Sequence, residues 1–522
     1  MIITITLITV ATTDSLMINR ENDFCWLKAM RRAMKVEMFT INSSYSVLDK
    51  PIRRFSRHGM APALRYSEFV RDCWQGRATI KINHRKTLFL KFMKTVSSIF
   101  FLVLLTACSG YASAQGNNAS FKAPQIRSVK LYKSGDQTSF PALTLYSADV
   151  LELHFDDLDN NIAKNYYYTF QLCNADWTPT MLNPFEYIKG FQQVRINTYR
   201  NSSIGATRYV HYSANIPDRN TYPTRSGNYL LKVFLDADTS KLAFTKRFVV
   251  VQSLATVAAQ IQQPFNANLF RTGQKLNIAV QTDRRVQVLS PTDLKIVVLQ
   301  NNNWVTSLFI DRPTITRGNY YEYSDEAQTG MPAGKEFRWI DLRSFRLRSD
   351  RMTEIRNVKD TAHVYVKPDA NRSGQAYIYY RDLNGSYTVE TIENVNPFWQ
   401  TEYAYVHFSY FPPGNRAIEG NNVYLFGEMT DWGRDTSAKM IFNAERGAYE
   451  KSLYLKQGFY NYTYMTLPNK GAGYPDFSQT EGNNWTTENA YTILVYYRPF
   501  GNRADELIGI STLNSIFQRA GF

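Results

Sequence analysis

The sequence predicts an all-β protein made of tandem immunoglobulin-like and early-set β-sandwich domains. Period-two alternation is the first reason. Tyr166, Tyr168, Phe170 and Leu172 share one face of a run, and Tyr229, Leu231, Val233 and Leu235 share one face of another, with Lys232 opposite. Such alternation fits a half-buried strand. Second, 35 Tyr and 32 Phe in 522 residues favour sheets over helices. Third, Ser226-Gly-Asn228, Asn301-Asn-Asn303 and Asp382-Leu-Asn-Gly385 supply turn chemistry between the runs. Only Ser344–Met352 and Thr512–Arg519 read as short helices. A chain of this length exceeds one core and divides into roughly three or four domains.

Residues 1–92 have no sustained period and carry +9 of the net +15, with Lys94 adding one, so residues 115–522 hold only +5. So weak a surplus gives no reason to expect a nucleic-acid partner. Met93-Lys94 opens a short positive segment, followed by Ile99-Phe-Phe-Leu-Val-Leu-Leu105-Thr-Ala107, which is too short to span a bilayer but fits the apolar part of a secretory signal peptide. Residues 1–92 are therefore expected to be a mis-assigned or disordered upstream extension, with the true start at Met93. Residues 93–114 are the signal peptide. Ala112-Ser-Ala114 before Gln115 is a signal-peptidase site, and Leu105-Thr-Ala-Cys108 is a lipobox that would place a lipid on Cys108. Both routes deliver the chain to the cell envelope.

The mature chain reads as a first sandwich over 115–252, a second β domain over 253–394 and an early-set-like sandwich with a tail over 395–522. Expected strands of the first are Ser128–Tyr132, Val150–Phe155, Tyr166–Leu172, Thr207–Tyr212, Tyr229–Leu235 and Phe244–Val251. Those of the second are Leu276–Gln281, Asp293–Leu299, Glu336–Leu342, Ala362–Val366 and Gln375–Tyr380.

Four stretches carry a resemblance: Cys173-Asn-Ala-Asp176-Trp177; Glu-Tyr187-Ile-Lys-Gly190-Phe191; His211-Tyr212; and Ser226-Gly227-Asn228-Tyr229. With Glu488-Asn-Ala-Tyr491-Thr-Ile-Leu-Val-Tyr-Tyr497-Arg498 near the other end, they resemble the plug-protein family of the Bacteroidetes type IX secretion system, from about Ser128 to Gly509. The resemblance implies a periplasmic protein associated with the outer membrane. It would bind the translocon β-barrel and close its periplasmic mouth, without catalysis or cofactor. It would be tied to the membrane through that partner or a lipid on Cys108.

Val423-Tyr-Leu-Phe-Gly427-Glu-Met-Thr-Asp-Trp432 and Gly458-Phe-Tyr-Asn-Tyr462-Thr-Tyr464 are similar to the early-set sandwich of glycogen-binding modules. Trp432 matches the first sugar-stacking Trp, but Thr463 stands where the binding Lys would be and no second Trp follows in place. This leaves Trp432 as a weak sugar-stacking candidate and an envelope glycan-binding lipoprotein as the alternative function. Fold does not carry function by itself.

Other chemistry has little support. Asp156-Asp-Leu-Asp159-Asn-Asn161 offers closely spaced oxygens, but Ile162 replaces the Gly of a calcium loop. His154, His211, His363 and His407 are too scattered for zinc spacing. No Gly-x-Ser-x-Gly, phosphate-loop or His-Glu-x-x-His motif occurs. Cys173 follows an alternating run and reads as a small buried hydrophobe; His211 and Tyr212 read as packing residues.

Overall fold

The computed structural model describes residues 121–517, apart from 160, 434–435 and 470–472. The expected processing positions Cys108, Ala114 and Gln115, and all of residues 1–92, lie outside the described residues. What is described belongs to one compact unit, and it is almost entirely strand. No helix in it is long and apolar enough to cross a membrane, which says nothing about strands.

Six large sheets pair into three sandwiches. In the first, Ile126–Lys133, Leu151–Asp157, Val210–Ile216 and Thr198–Asn201 form one sheet in that order. The facing sheet runs Ala142–Thr144, Leu242–Val251, Gly227–Leu235, Tyr166–Cys173 and Val194–Arg195. The alternation seen in the sequence sets this pairing. Tyr229 lies opposite Leu172, Leu231 opposite Phe170 and Val233 opposite Tyr168, and all six are buried in one core. Sliding the register by one residue would turn that whole set to solvent.

The remaining strands do not divide after Asn394. Leu294–Gln300 pairs with Ala490–Tyr497, which pairs with Glu506–Asn514. Together with Asn303–Ile310 they face the sheet of Ala255–Gln262, Gly273–Thr282, Tyr320–Tyr323 and Ile315–Arg317 across a shared core. Between these halves lies the third sandwich. Arg338–Asp341, Tyr387–Val389 and Asn421–Phe426 all pair with Gly458–Pro468. The opposing sheet holds Met352–Val358, Thr361–Val366, Tyr403–Phe411, Ala448–Lys456 and Ile441–Asn443. The third sandwich is thus inserted into the second, so sheets cross the expected 253–394 and 395–522 division. The reason is physical. Lys295 interrupts Leu-Lys-Ile-Val-Val-Leu only once, so this strand must be covered on both faces and flanked by partners, and the C-terminal strands provide them.

Local expectations fared unevenly. Asn301 and Asn302 both adopt positive φ, near 56° and 57°, and join two antiparallel strands in a tight turn. Gln375–Tyr380 is irregular rather than strand, and Ser344–Met352 is irregular up to Arg351 and opens a strand at Met352. The expected tail helix Thr512–Arg519, whose last two residues lie outside the described ones, begins instead as the end of a strand that runs to Asn514. The irregular stretches are held by buried charge instead of backbone ladders. Asp369 Oδ1 accepts from Arg338 at 2.8 Å and Arg351 at 2.5 Å, and its Oδ2 accepts from the Tyr462 and Tyr464 hydroxyls at 2.8 Å each. Glu481 takes both prongs of Arg338 at 3.0 Å and is joined by Arg372 at 2.6 Å. Burial alone would raise the Glu481 carboxyl, but the two guanidiniums bring it down to about 2.

Removing one partner from such a cluster leaves an uncompensated buried charge. Asp369→Ala is expected to cost about 3–5 kcal/mol, read as a lower urea midpoint. Arg343→Ala, at the half-exposed Arg343–Asp341 pair, should cost less than about 1 kcal/mol.

Candidate functional site

Part of the set singled out by the sequence lies at the seams between sandwiches, and the rest packs within the first sandwich or at its surface. Against the second sandwich, the first presents Ala175, Val249 and Val251, which pack on Val297, Leu299, Leu494, Tyr496 and Leu507. Polar ties pin this apolar patch. The Tyr496 hydroxyl donates to Asn228 Oδ1 at 2.6 Å, and Asn228 Nδ2 donates to the carbonyls of Asn174 at 2.9 Å and Ala175 at 3.3 Å. The Ala175 amide donates to Asp505 Oδ2 at 3.0 Å, while Arg498 reaches Asp505 Oδ1 at 2.7 Å and Asn174 Oδ1 at 2.9 Å. Burial opposes ionisation of Asp505, but Arg498 and the Ala175 amide outweigh it and hold the carboxyl low. The stretches 173–177, 226–229 and 488–498, far apart in the chain, thus form one contact.

The same motifs fix the backbone around it. Gly227 has φ of +142°, and a Cβ there would lie 3.1 Å from the Asp505 carbonyl oxygen. Gly190 has φ of +96°, and a Cβ would fall 1.8 Å from the Asn220 carbonyl oxygen, so no other residue fits. Trp177 is buried edge-on to Trp304 at 4.8 Å, with the Arg247 guanidinium 4.6 Å from its ring. Asp176 is exposed and caps its own turn through Thr178. Tyr187 and Tyr229 pack in the first core, the Tyr229 hydroxyl donating to the Arg225 carbonyl at 2.8 Å. Ser226 is buried and Phe191 is exposed. Cys173 is a core residue whose thiol burial pushes up to about 11.

Against the third sandwich the seam is more polar. Asp156 is fully buried. Its Oδ1 accepts from His211 Nδ1 at 2.7 Å, and its Oδ2 accepts from the Tyr403 hydroxyl at 2.5 Å and from Lys456. Lys456 also donates to the Phe398 carbonyl at 2.6 Å. Burial would raise the Asp156 carboxyl, but Lys456 and His211 outweigh it and keep it ionised. Nearby, the Tyr209 hydroxyl donates to the Thr401 carbonyl at 3.0 Å. His211 is therefore a polar tie, not only a packing residue; Tyr212 does pack, stacked on Phe155 at 5.0 Å. Sequence spacing could not pair His154 with His211, whose ring nitrogens lie 3.0 Å apart, because only the register of two strands brings them together. The neighbouring acids are likewise spent. Asp157 binds the Tyr166 hydroxyl and Lys164 at 2.8 Å each, and Lys164 also takes Asp159.

Trp432 lies elsewhere than a sugar platform requires. Its ring is half-buried, edge-on to Phe426 at 5.1 Å and Phe337 at 6.1 Å, and it leans on Gly385, where a Cβ would come within 2.4 Å. The loop that carries it is docked on the first sandwich. Glu428 pairs with Lys130 at 2.7 Å, and Asp431 is shared by Lys122 and Lys246 at 2.7 Å each. Those ammonium groups overcome burial and hold the Asp431 carboxyl well below its usual range.

Residues 126–252 match the family described as type 9 secretion system plug protein, first domain. The chain belongs to this plug-protein family. The match covers the first sandwich, including its side of both seams: Ala175, Asn228, Val249 and Val251 against the second sandwich, and Asp156 and His211 against the third. A crystal structure of a hypothetical protein from Parabacteroides merdae ATCC 43184 is similar to the chain at 30% identity and a TM-score of 0.72. It covers 75% of this chain and 98% of its own. A biofilm-associated protein BSP domain (8% identity, 77% of this chain and 61% of its own, TM-score 0.16) carries no argument. The same holds for Yersinia pseudotuberculosis InvD (9%, 74% and 97%, TM-score 0.14). No curated protein matches. Of the motif residues, Asn228, Gly227 and His211 lie at seams, while Tyr187, Tyr212 and Tyr229 pack inside the first sandwich.

Asp156→Leu alone strands Lys456 in the seam and should destabilise by about 3–5 kcal/mol. The double variant with Lys456→Met should recover most of that loss. Equal losses in the single and double variants, in denaturant titrations, would refute the pairing.

Proposed function

We propose that this plug-family protein is a non-catalytic periplasmic plug. It binds the outer-membrane type IX translocon barrel and closes its periplasmic mouth. The observation that carries this reading is the joining of three sandwiches through apolar packing and paired polar groups at their seams. Interfaces between domains of one chain are ordinarily small and allow motion. Here apolar packing and buried ion pairs lock the blocks, as a stopper over a wide aqueous opening requires. A stiff block presents a fixed surface, so association costs little ordering.

A contact surface is available at one end. Tyr146, Met181, Phe185 and Phe500 are 76–93% exposed on loops that touch one another. The Tyr146 hydroxyl donates to the Thr224 carbonyl at 3.2 Å, and Glu186 pairs with Arg503 at 2.5 Å. Aromatic and Met side chains held on fixed loops suit a protein interface, where they bury large area for few rotatable bonds. The glycan-binding alternative is less favoured, because the ring of Trp432 is half-buried against Phe426 and Phe337 and its loop is engaged by three lysines.

Deleting the gene should make the outer membrane leaky to large antibiotics, and the protein should co-purify with a very large barrel from detergent-solubilised envelopes. Unchanged permeability with normal secretion would overturn the reading. Phe185→Ser with Phe500→Ser should reduce co-purification at least about tenfold if these rings anchor the contact, with the thermal midpoint unchanged.

A further inference from the structure

The seam between the first and third sandwiches contains two imidazoles in a chain of hydrogen bonds whose direction is fixed. An ionised carboxylate only accepts. His211 Nδ1, 2.7 Å from Asp156 Oδ1, must therefore carry a proton. A neutral His211 then has a bare Nε2, which accepts from His154 Nδ1 at 3.0 Å. That leaves His154 Nε2 bare, 3.6 Å from the Glu152 carboxylate. One added proton fits at His154 Nε2, beside Glu152. A second has nowhere to go but His211 Nε2, where it would meet the N–H of His154.

We propose that the His154–His211 pair is an acid-sensitive latch: protonation of both rings breaks their shared hydrogen bond, sets like charges beside Lys456, and releases the segment 396–403 from the first sandwich. The packing explains why release is the outlet. Phe398 stacks on both rings, at 4.1 Å from His154 and 5.0 Å from His211, and the Trp399 ring lies 6.5 Å from His211. Tyr132 stacks on the other side of His154 at 5.7 Å. The charged and titratable groups that face the pair are Glu152 and Asp156 on its own sheet, Lys456 and Tyr403 from the third sandwich, and Tyr209 and Tyr132. Among these, only Glu152 and Asp156 oppose a positive charge, and Asp156 is already paired with Lys456.

The direction of the pH effect follows from the closed state. Burial, reinforced by His211, pushes His154 down to about 4 from an ordinary 6.5; burial also lowers His211, against the pull of Asp156. An opened seam restores ordinary imidazoles, so the open form binds protons more tightly. The latch is therefore fully held above about pH 6.5 and weakens as pH falls towards 4, by up to ~10-fold per pH unit for each proton taken up. This inference does not rest on the plug reading.

Hydrogen exchange on the full chain tests it, with rates corrected for intrinsic chemistry at each pH. Peptides covering 151–157, 210–216 and 396–403 should open increasingly between pH 7 and 5. Peptides around the Arg338–Asp369–Glu481 cluster, which contains no histidine, should not. In His211→Gln, which can still donate to Asp156, only His154 is left to titrate and the pH response should fall to the slope of one proton. If that variant does not fold, His154→Phe, which keeps the stack on Phe398, should show a slope reduced to one proton. A flat pH profile in the wild type, or a full response in either variant, would overturn the latch.

Discussion

A carboxylate with no exposed surface sits where two sandwiches meet, and the rest of the arrangement follows from satisfying it. Taking Asp156 out of water costs several kcal/mol unless every lone pair is occupied. His211 comes from its own sheet, but Tyr403 and Lys456 come from strands 247 and 300 residues later. The first sandwich therefore cannot complete this part of its surface alone. The same logic recurs at Lys130 with Glu428, at Lys246 with Asp431, and at Asn228 with Tyr496. Each places a buried or partly buried polar group of the first sandwich against a partner in another. Apolar packing brings the blocks together, and these pairs select one orientation among many that would bury similar area.

The insertion of the third sandwich into the second extends this constraint through the chain. A mobile linker needs one crossing; here the chain leaves the second sandwich after Pro332 and returns at Ala490, so two crossings tie the blocks. The loop that carries Trp432 serves that tie as well. Its acids face three lysines of the first sandwich, and its Trp fills the gap beside Gly385.

The sequence exposed the strands because each is local. Tyr166–Cys173 and Gly227–Leu235 alternate at period two, and the Asn301-Asn302 turn needs only positive φ, which Asn tolerates. It also exposed the residues that matter at the seam, Asn228, His211 and Gly227 among them, though as motif positions without a reason. Their partners were hidden. Nothing in the spacing of Asp156 and Lys456, or of His154 and His211, distinguishes them from dozens of other acids and bases. The expected boundary after Asn394 failed for the same cause: strand pairing between Leu294–Gln300 and Ala490–Tyr497 is set by complementary burial across the fold.

What the sequence by itself determined was the class and the parts: an all-β envelope protein, cut by Gly and Asn into aromatic-rich strands, with motifs of the plug family. Only the tertiary structure decided which strands share a sheet, which charges are buried together, and that Asn228 and His211 tie one sandwich to another. Alternation and turn chemistry act over a few residues and are written in order along the chain. Charge compensation acts through space, between groups brought side by side only after burial has made leaving them unpaired intolerable.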